Sequence, residues 1–482
     1  MLSVIITCAP AIAGALVTLT LLEDRWPRLS GWSFIASGIG GLLGFVSLGI
    51  AMSFADYLGI SVLNDEFSAF LICSLLAVTG IYCAKHRQLL MRQARLRSSL
   101  LQSFGSMSWI LTIVLLANLA IGLVVILQGA LLPLSSWDAM GAWSHIPFRY
   151  IQYDAFGEVL DGSSRADGAP FPGAHPRHPM TIFNIIAFSG FHMAGSERLA
   201  GWLLPWSIGW ICGALVTYGW AISITQSAVC AGVASYVFCT IPLIENHATH
   251  ALGYADLWVT LFLLCSVALS SLGLIERDKF LMFAGACLAL IPIVLKNTGL
   301  LTTTPLLLAL LVFVAGSSRS SRTLLRMYLF AAMGSLLCAS IALEVVTADG
   351  AGVRKIAYGG WTFDLLAYPL HRIFQNQVWA LLINASFSVL GCFFLLALIL
   401  RTMAETGSDD QMGRCSAFLL ATVIGLVTAF TIPQLIESYA VVYAEPSSDT
   451  GNSRFLMGIG PLLVFLSVLI FHNEVGQTRL SV

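Results

Sequence analysis

Long apolar runs separated by short polar segments make up most of the chain. The runs are roughly 17 to 25 residues long, the length that an α-helix needs to cross the hydrocarbon of a bilayer at about 1.5 Å per residue. The pattern predicts about 13 membrane-spanning helices. We place them at residues 2–22, 32–55, 67–84, 106–132, 199–220, 228–244, 255–274, 280–295, 298–315, 327–345, 377–400, 415–434 and 454–472.

Composition agrees with a membrane protein and excludes other classes. Hydrophobic residues make up 57% of the 482 residues and charged residues 10%, whereas a soluble domain carries about 25% charged residues. The formal net charge of −1 gives no sign of a nucleic-acid partner. The 11 cysteines lie mostly alone and form no C-x-x-C pair, so neither a disulfide framework nor a zinc cage is expected. The first apolar run lacks a basic leader and a small-residue cleavage site, so we expect a retained span.

The basic residues of the connecting segments predict the direction of insertion, because short cytoplasmic loops are enriched in Lys and Arg. The strongest basic cluster lies at residues 85–97, and smaller ones follow at 277–279, 319–326 and 401–414. If 180–195, 199–220 and 228–244 all crossed the membrane, Arg277 and Arg319 would lie outside. Dropping one of the three repairs every later loop, and 180–195 is the weakest of them.

The stretch 180–195 is only about 15 residues long and contains Asn184 and His192, so we expect a half-helix or a segment in the membrane interface. The resulting topology puts the N-terminus outside and the C-terminus inside. It also places four polar segments on the external face, at residues 133–179, 245–256, 346–376 and 435–453.

The longest external segment, residues 133–179, carries the first candidate site residues. Asp138 follows the apolar run 106–132 and lies between Trp137 and Trp143. A carboxylate that is partly removed from water binds protons more readily, which makes it a better general base near neutral pH. The alternative is a solvated carboxylate that helps to end a helix beside interfacial tryptophans.

A second polar group lies between the predicted spans 228–244 and 255–274. It reads Glu245-Asn246-His247-Ala248-Thr249-His250, followed by Gly253-Tyr254-Ala255-Asp256. The alternative to a site is an ordinary polar turn, with an acidic residue that is stabilised by the dipole at a helix N-terminus.

Two basic residues lie at span boundaries, where they could meet a lipid phosphate. Lys296 interrupts two apolar runs, and Arg454 opens the last predicted span. An ammonium group offers a point charge to phosphate, and the guanidinium fork matches its oxygens. Simple anchoring of either side chain at the interface is the alternative.

The histidines raise the question of a metal. His175 and His178 form one i, i+3 pair, and His247 and His250 form another. Neither pair follows a known zinc pattern. Binding of a divalent metal by histidine and acidic ligands stays open, and hydrogen bonding around an anionic headgroup is the preferred interpretation.

Several of these fragments occur along the chain in one order. They read W-D-A at 137–139, H-P-R-H-P at 175–179, H-A-T at 247–249, G-Y-A-D-L at 253–257, K-N-T-G at 296–299 and N-S-R-F-L at 452–456. This order resembles the bacterial branch of the GT-C glycosyltransferases, multi-spanning enzymes of the dolichyl-phosphate-mannose-transferase type that use polyprenyl-phosphate-linked sugars. Relatives read W-D-A, H-P-x-Y-P, H-A-T-x-G-Y-A-D-L and K-N-E-G at the matching places.

The chain departs from the family pattern in the H-P-R-H-P segment, in the three residues between Thr249 and Gly253, and at Thr298, where relatives often carry Glu. The resemblance covers about residues 106–470, so the three spans before residue 100 lie outside it. Because of Thr298, a second alternative is a non-catalytic relative that serves as an assembly or lipid-binding subunit.

The resemblance implies an all-α polytopic membrane fold, a GT-C-like bundle whose first external loop carries the catalytic aspartate. Residues 1–100 would form three accessory helices and a basic cytoplasmic loop. Residues 101–345 would form the catalytic core with the external loop 133–179. Residues 346–482 would form the last helices with the external loops 346–376 and 435–453.

The resemblance also implies roles for the candidate residues. Asp138 matches the general base of the family, and Asp256 would orient the acceptor or share a metal. Lys296, Arg454 and His178 would bind the donor phosphate. The residues expected to contact the acceptor or shape the loop are Trp137, His175, Glu245, His247 and Tyr254. No cofactor is assigned, and a divalent metal stays open.

The implied activity is inverting transfer of a sugar from a polyprenyl-phosphate-linked donor to a lipid or cell-envelope glycan. It would occur on the external, periplasmic face of a bacterial inner membrane, with the donor, the glycan acceptor and membrane lipids as partners. A secondary transporter is the main alternative from another class, because transporters also place acids and broken helices in the membrane. Against it, the acidic residues gather in a long external loop.

Overall fold

The structure, a computed structural model, describes the parts of the chain that carry most of the predicted spans. It describes residues 2–22, 30–85, 109–131, 147–148, 151, 179–193, 201–249, 254–296, 299–316, 323–329, 354–358, 361–365, 411–434 and 457–480. The predicted span 377–400 lies outside these residues. Of the span 327–345, only the start is described, within the helical residues 323–329.

Helices form most of the described chain. In chain order they are α1 (Leu2–Leu22), α2 (Trp32–Tyr57), α3 (Asp65–Lys85), α4 (Trp109–Leu131), α5 (Met180–Met193), α6 (Leu204–Thr225), α7 (Ala228–Cys239), α8 (Pro242–Thr249), α9 (Ala255–Glu276), α10 (Lys279–Leu295), α11 (Gly299–Ala315), α12 (Gln411–Gln434) and α13 (Ile459–Leu480).

The prediction of an α-helical integral membrane protein is confirmed. Six described helices are long and apolar enough to cross a membrane, and they become seven when α7 and α8 are taken as one broken span. A helix satisfies its backbone hydrogen bonds internally, which the water-free bilayer interior requires. The total of about 13 spans stays a prediction, as does the GT-C arrangement.

The predicted continuous span 228–244 was wrong in one respect. Helix α7 ends at Cys239, and α8 continues after a bend of 64°. Pro242 occupies the first position of α8, where its missing N–H costs no hydrogen bond. Residues 245–249, which the sequence indicated as part of a polar turn, are therefore helical.

A β-hairpin departs from the all-helical prediction. Strands β1 (Arg354–Tyr358) and β2 (Trp361–Leu365) pair antiparallel, with Arg354 opposite Leu365 and Tyr358 opposite Trp361. Two glycines separate the strands in the sequence, and such pairs favour the tight turns of two-residue hairpins. The hairpin lies within residues 346–376, the segment that the sequence predicts to be an external loop.

The chain divides into two compact units. Unit 1 comprises residues 1–240 and 244–261, and unit 2 comprises residues 241–243 and 262–482. In unit 1, α2 packs against α1, α5 and α6, while α7 packs against α4 and α6. In unit 2, α11 packs against α10 and α12, and α12 packs against α13. The boundary predicted at residue 100 stays a prediction.

Glycines bring the backbones of α1, α2 and α6 close together in unit 1. A methyl group at Gly14 of α1 would overlap the carbonyl of Gly40 on α2. At the start of α2, a methyl group at Gly31 would overlap the carbonyl of Gly219 on α6. Such close approach is the usual basis of helix association in membranes, where packing takes the place of the hydrophobic effect.

Helix ends that the predicted topology places on one face meet in unit 1. At one end, Lys85 Nζ donates to the Thr20 carbonyl at 2.7 Å, and Ser30 Oγ donates to the Ile222 carbonyl at 3.2 Å. At the other end, Ser68 Oγ lies 3.3 Å from His192 Nε2. The connectivity is thus consistent with the predicted alternation of faces, and the identity of the outer face stays a prediction.

Helix α5 corresponds to the stretch predicted not to cross the membrane. It has 14 residues, and those from Thr181 to Gly190 are buried. Asn184 Nδ2 donates to the Gly49 carbonyl and to Ser53 Oγ, both at 2.7 Å. A short helix buried on all sides agrees with the half-helix alternative, because a segment lying in the interface would expose one face.

Candidate functional site

Four of the described residues in the second polar group are candidate site residues, and they lie on helix α8 or at the start of α9. His247 is 2% exposed and Asp256 is 6% exposed, and Tyr254 is also buried. Glu245 is half-buried. Ionisable side chains are costly inside a membrane protein, and their presence there indicates a functional position by default, so we take these residues as the candidate site.

The short helix α8 brings His247 towards the start of α9. The ring centroids of His247 and Tyr254 lie 5.5 Å apart with the planes inclined at 57°. Within α8, Thr249 Oγ1 donates to the Glu245 carbonyl at 2.8 Å and lies 3.4 Å from Glu245 Oε1. The two polar fragments of the sequence therefore form one cluster in unit 1.

The start of α6 holds this cluster in place through two side chains. Trp206 Nε1 donates to the Tyr254 carbonyl at 2.8 Å. Ser207 Oγ lies within donating distance of the Val125 carbonyl, at 3.1 Å, and of the Ala248 carbonyl, at 3.3 Å. Both carbonyls next to the site residues thus have a partner on α6, which limits movement of α8 and of the α9 start.

An aromatic layer lies directly beside the cluster. The ring of Trp258 makes edge-to-face contacts with Trp206 and with Phe45, each at a centroid distance of 5.7 Å. Trp206 and Trp258 are fully buried. Closely packed rings leave little room for water, so polar interactions formed by Asp256 would be stronger than in solution.

Asp256 lies in the first turn of α9. A negative charge at this position is stabilised by the positive end of the helix dipole. A buried carboxylate can accept hydrogen bonds from hydroxyl groups or bind a cation. The arrangement is thus suited to orienting a polyhydroxylated ligand or to sharing a metal.

The described residues do not form a metal centre by themselves. No group of three His, Cys, Asp or Glu side chains in the described ranges is arranged to hold an ion. A divalent metal that uses His175 or His178 stays a prediction, because both lie outside the described residues.

Lys296 belongs to unit 2, where it ends α10. Its backbone is extended, with φ −155° and ψ 141°, and its N–H donates to the Pro292 carbonyl at 3.0 Å. The Lys296 carbonyl accepts from the N–H of Gly299 at 2.8 Å. A methyl group at Gly299 would overlap the Pro292 carbonyl. The predicted polar interruption is therefore a tight reversal between α10 and α11, and Lys296 is half-buried in it.

The remaining candidate residues lie outside the described part of the chain. They are Trp137, Asp138, His175, His178, Thr298 and Arg454. Their roles stay predictions from the sequence.

Sequence reasoning missed Trp206, Ser207 and Trp258 as supports of the site. Trp258 follows Asp256 by only two residues, and Trp206 and Ser207 follow Pro205 at the start of α6. Tryptophans near span ends are typical of the membrane interface, so their burial could not be read from position alone. Ser207 could have been found from its position within an apolar helix, because hydroxyl groups there commonly form hydrogen bonds to neighbouring helices.

The chain has no match among protein-family models, curated proteins or solved structures.

Proposed function

We propose that the protein is an inverting glycosyltransferase that moves a sugar from a polyprenyl-phosphate-linked donor to a lipid or cell-envelope glycan. The observation that carries the proposal is the buried cluster of His247, Tyr254 and Asp256. Two of the fragments that resemble the GT-C family, H-A-T at 247–249 and G-Y-A-D-L at 253–257, contribute to this cluster. It lies in unit 1, at the end predicted to face the periplasm of a bacterial inner membrane.

The chemistry requires a base and a site for the leaving group. The acceptor oxygen forms a bond to the anomeric carbon while the bond from that carbon to the phosphate oxygen breaks. Asp138 takes the proton of the acceptor hydroxyl, and the electrons of the broken bond leave with the polyprenyl phosphate. Asp256 orients the acceptor. Lys296, Arg454 and His178 offset the negative charge of the departing phosphate.

Release of free polyprenyl phosphate tests this proposal. Purified full-length protein in detergent, given a polyprenyl-phosphate sugar and a membrane-lipid extract as acceptor, is expected to produce both free polyprenyl phosphate and a glycosylated lipid. Removal of a general base costs about 10²–10⁴-fold in rate, so Asp138→Asn should abolish release within detection. Asp161→Asn, a change in the same sequence segment, serves as the control.

Asp256→Asn tests the described part of the site. We expect release to fall at least about tenfold while the protein remains folded, because the amide keeps the shape of the carboxylate but not its charge. Asp278→Asn is the matched control, since Asp278 caps α10 through its side chain and asparagine preserves that cap. Undiminished release by both Asp138→Asn and Asp256→Asn would rule out the proposed mechanism.

A secondary transporter is the second candidate, and one observation favours it. The 64° bend between α7 and α8 lies close in sequence to the buried Asp256, and transporters commonly build substrate sites from broken helices. One assay distinguishes the two functions. A transporter reconstituted in liposomes would move a solute without cleaving a polyprenyl-phosphate sugar.

A further inference from the structure

Four helix ends of unit 2 meet at the end opposite the reversal between α10 and α11. They are the end of α9, the start of α10, the end of α11 and the start of α12. Arg277 and Arg414, which we call the arginine pair, lie at this place. The basic-residue pattern predicts that this end faces the cytoplasm.

Arg277 adopts a backbone conformation that normally belongs to glycine. It follows the last residue of α9 with φ 56°, and the N–H of Asp278 donates back to the Gly273 carbonyl at 2.9 Å. This hydrogen bond is the Schellman pattern that ends many helices, and glycine is the usual residue at the left-handed position. The left-handed backbone conformation disfavours arginine relative to glycine. We therefore infer that the guanidinium side chain is the reason for an arginine at this position.

Gln411 holds the guanidinium of Arg277 towards α12. With the amide of Gln411 oriented so that both its atoms are paired, its nitrogen donates to the Ile275 carbonyl at 2.7 Å. Its oxygen accepts from Arg277 Nε at 2.9 Å. This arrangement uses one of the five N–H donors of the guanidinium and fixes its position at the end of α9.

Arg414 lies three residues after Gln411, and residues at this spacing share one face of a helix. Its Nη2 donates to the Gly316 carbonyl at 3.3 Å, just beyond α11. Its Nε is buried and has no hydrogen-bond partner. The first turn of α12 contains no acidic residue. Asp409 and Asp410, which precede it in the sequence, lie outside the described residues.

Among the described acidic residues, Glu276 and Asp278 lie nearest to the arginine pair in the sequence. Neither arginine forms an ion pair within the described ranges. The carboxylate of Asp278 accepts from the backbone N–H groups of Phe280 and Leu281, at 2.8 and 3.4 Å, and Glu276 is exposed. Among the described residues, both guanidinium groups thus keep donors that these contacts do not use, and their planar geometry matches phosphate oxygens.

Apolar side chains beside the arginine pair indicate that the phosphate belongs to a lipid. Phe283, one turn into α10, is 66% exposed, and Phe280 is also exposed. An anionic phospholipid would place its headgroup against the arginines and its acyl chain along these rings. Basic pockets between membrane spans commonly bind lipid headgroups in this way. We propose that Arg277 and Arg414 bind the phosphate of an anionic phospholipid at this end of unit 2.

Native mass spectrometry of the full-length protein tests the proposal. The protein is reconstituted in nanodiscs of phosphatidylcholine with a minor fraction of phosphatidylglycerol, and retained phosphatidylglycerol is counted after release. Arg277→Gly and Arg414→Gln should each lower retention about fivefold. Arg326→Gln is the matched control, since Arg326 is an exposed arginine in unit 2 outside the pair and its loss changes the net charge equally.

Arg277→Gly separates binding from folding. Glycine suits φ 56°, so this variant should unfold at a temperature equal to or above that of the wild type while it loses the lipid. The variant therefore decides the question even if Arg414→Gln fails to fold. Unchanged retention in Arg277→Gly would overturn the proposal, and so would an equal loss in Arg326→Gln. Displacement of phosphatidylglycerol by millimolar inorganic phosphate would also overturn it, because the ligand would then be a free anion.

Discussion

Helices α4 and α9 look alike in the sequence but have opposite surroundings in the structure. Both are apolar and long enough to span a membrane. However, only 6% of the most apolar 18-residue window of α4 is buried inside the protein, whereas 89% of the corresponding window of α9 is buried. Lipid and protein interior are both apolar, so hydrophobicity alone does not distinguish a helix that faces lipid from one that faces other helices. The comparison shows that apolar composition reports the membrane and not the neighbours.

Small polar residues mark the difference between the two helices. Helix α9 buries hydroxyl groups along its length, and Ser266 Oγ donates to the Gly285 carbonyl of α10 at 2.6 Å. Helix α4 buries only Val125 and Gly129. Its link to α7 includes one side-chain hydrogen bond, from Asn118 Nδ2 to the Gly232 carbonyl at 3.2 Å. Hydroxyl groups that bond to adjacent helices are typical of helices enclosed by protein.

Replacing a glycine by leucine should give the largest difference in stability between the surroundings of α9 and those of α4. Gly285 lies against Ser266 and Ser270, so Gly285→Leu would force α9 and α10 apart at a cost of about 3 kcal/mol. Gly122 of α4 has no atom near its missing side chain, so Gly122→Leu should be close to neutral. Unfolding of both purified variants in detergent measures the contrast. Equal loss of stability would show that α4 is also enclosed.

Removing a large side chain should give the next largest contrast. Leu264 of α9 is fully buried, and Leu264→Ala should cost about 2 kcal/mol because it leaves a cavity. Leu119 of α4 is 69% exposed, and lipid can fill the space that Leu119→Ala creates. The same unfolding measurement applies. The comparison fails if the α4 variant loses as much stability as the α9 variant.

Loss of one supporting hydrogen bond tests how the start of α9 is held. Trp206→Phe removes the donor to the Tyr254 carbonyl and should cost about 1 kcal/mol of unfolding free energy. Release of polyprenyl phosphate should fall as well, because Asp256 lies two residues after Tyr254 and loses part of its support. Trp109→Phe at the exposed start of α4 is the control. Normal release with lowered stability would assign Trp206 a structural role alone.

The smallest expected effect concerns the polar contact of α4. Asn118→Leu removes the hydrogen bond to Gly232 and should cost about 0.6 kcal/mol, the average for such bonds in membrane proteins. Asn118 is half-buried, so part of a leucine side chain at this position would contact lipid. A loss several times larger would mean that this bond is a main attachment of α4 to unit 1.

The positions of the helices could be predicted from the sequence because helical hydrogen bonds are local. The predicted span 2–22 agrees with α1, and the prediction at 255–274 differs from α9 by two residues at one end. The bend after Cys239 was missed, because the apolar run continues through it. The hairpin at residues 354–365 was missed because loop polarity gives no information on strand pairing.

The candidate residues were selected from the sequence, whereas the side chains that support them were not. The fragments that contain His247, Tyr254 and Asp256 were recognised from their order in the sequence, and the structure brings the first two rings into contact. The hydrogen bonds from Trp206 and Ser207 depend on how α6 aligns with distant segments. That alignment follows from packing between helices, which a single sequence does not specify.

The glycines that bring α2 against α6 set an order of events during biosynthesis. Ser30 and Ile222, which hydrogen-bond beside these glycines, are 192 positions apart in the chain. The hairpin of α1 and α2 therefore enters the membrane long before α6 has been translated. Until α6 is present, the backbone at Gly31 and at Gly38 of α2 lacks its packing partner, because the nearest residues to both glycines, Gly219 and Cys212, belong to α6.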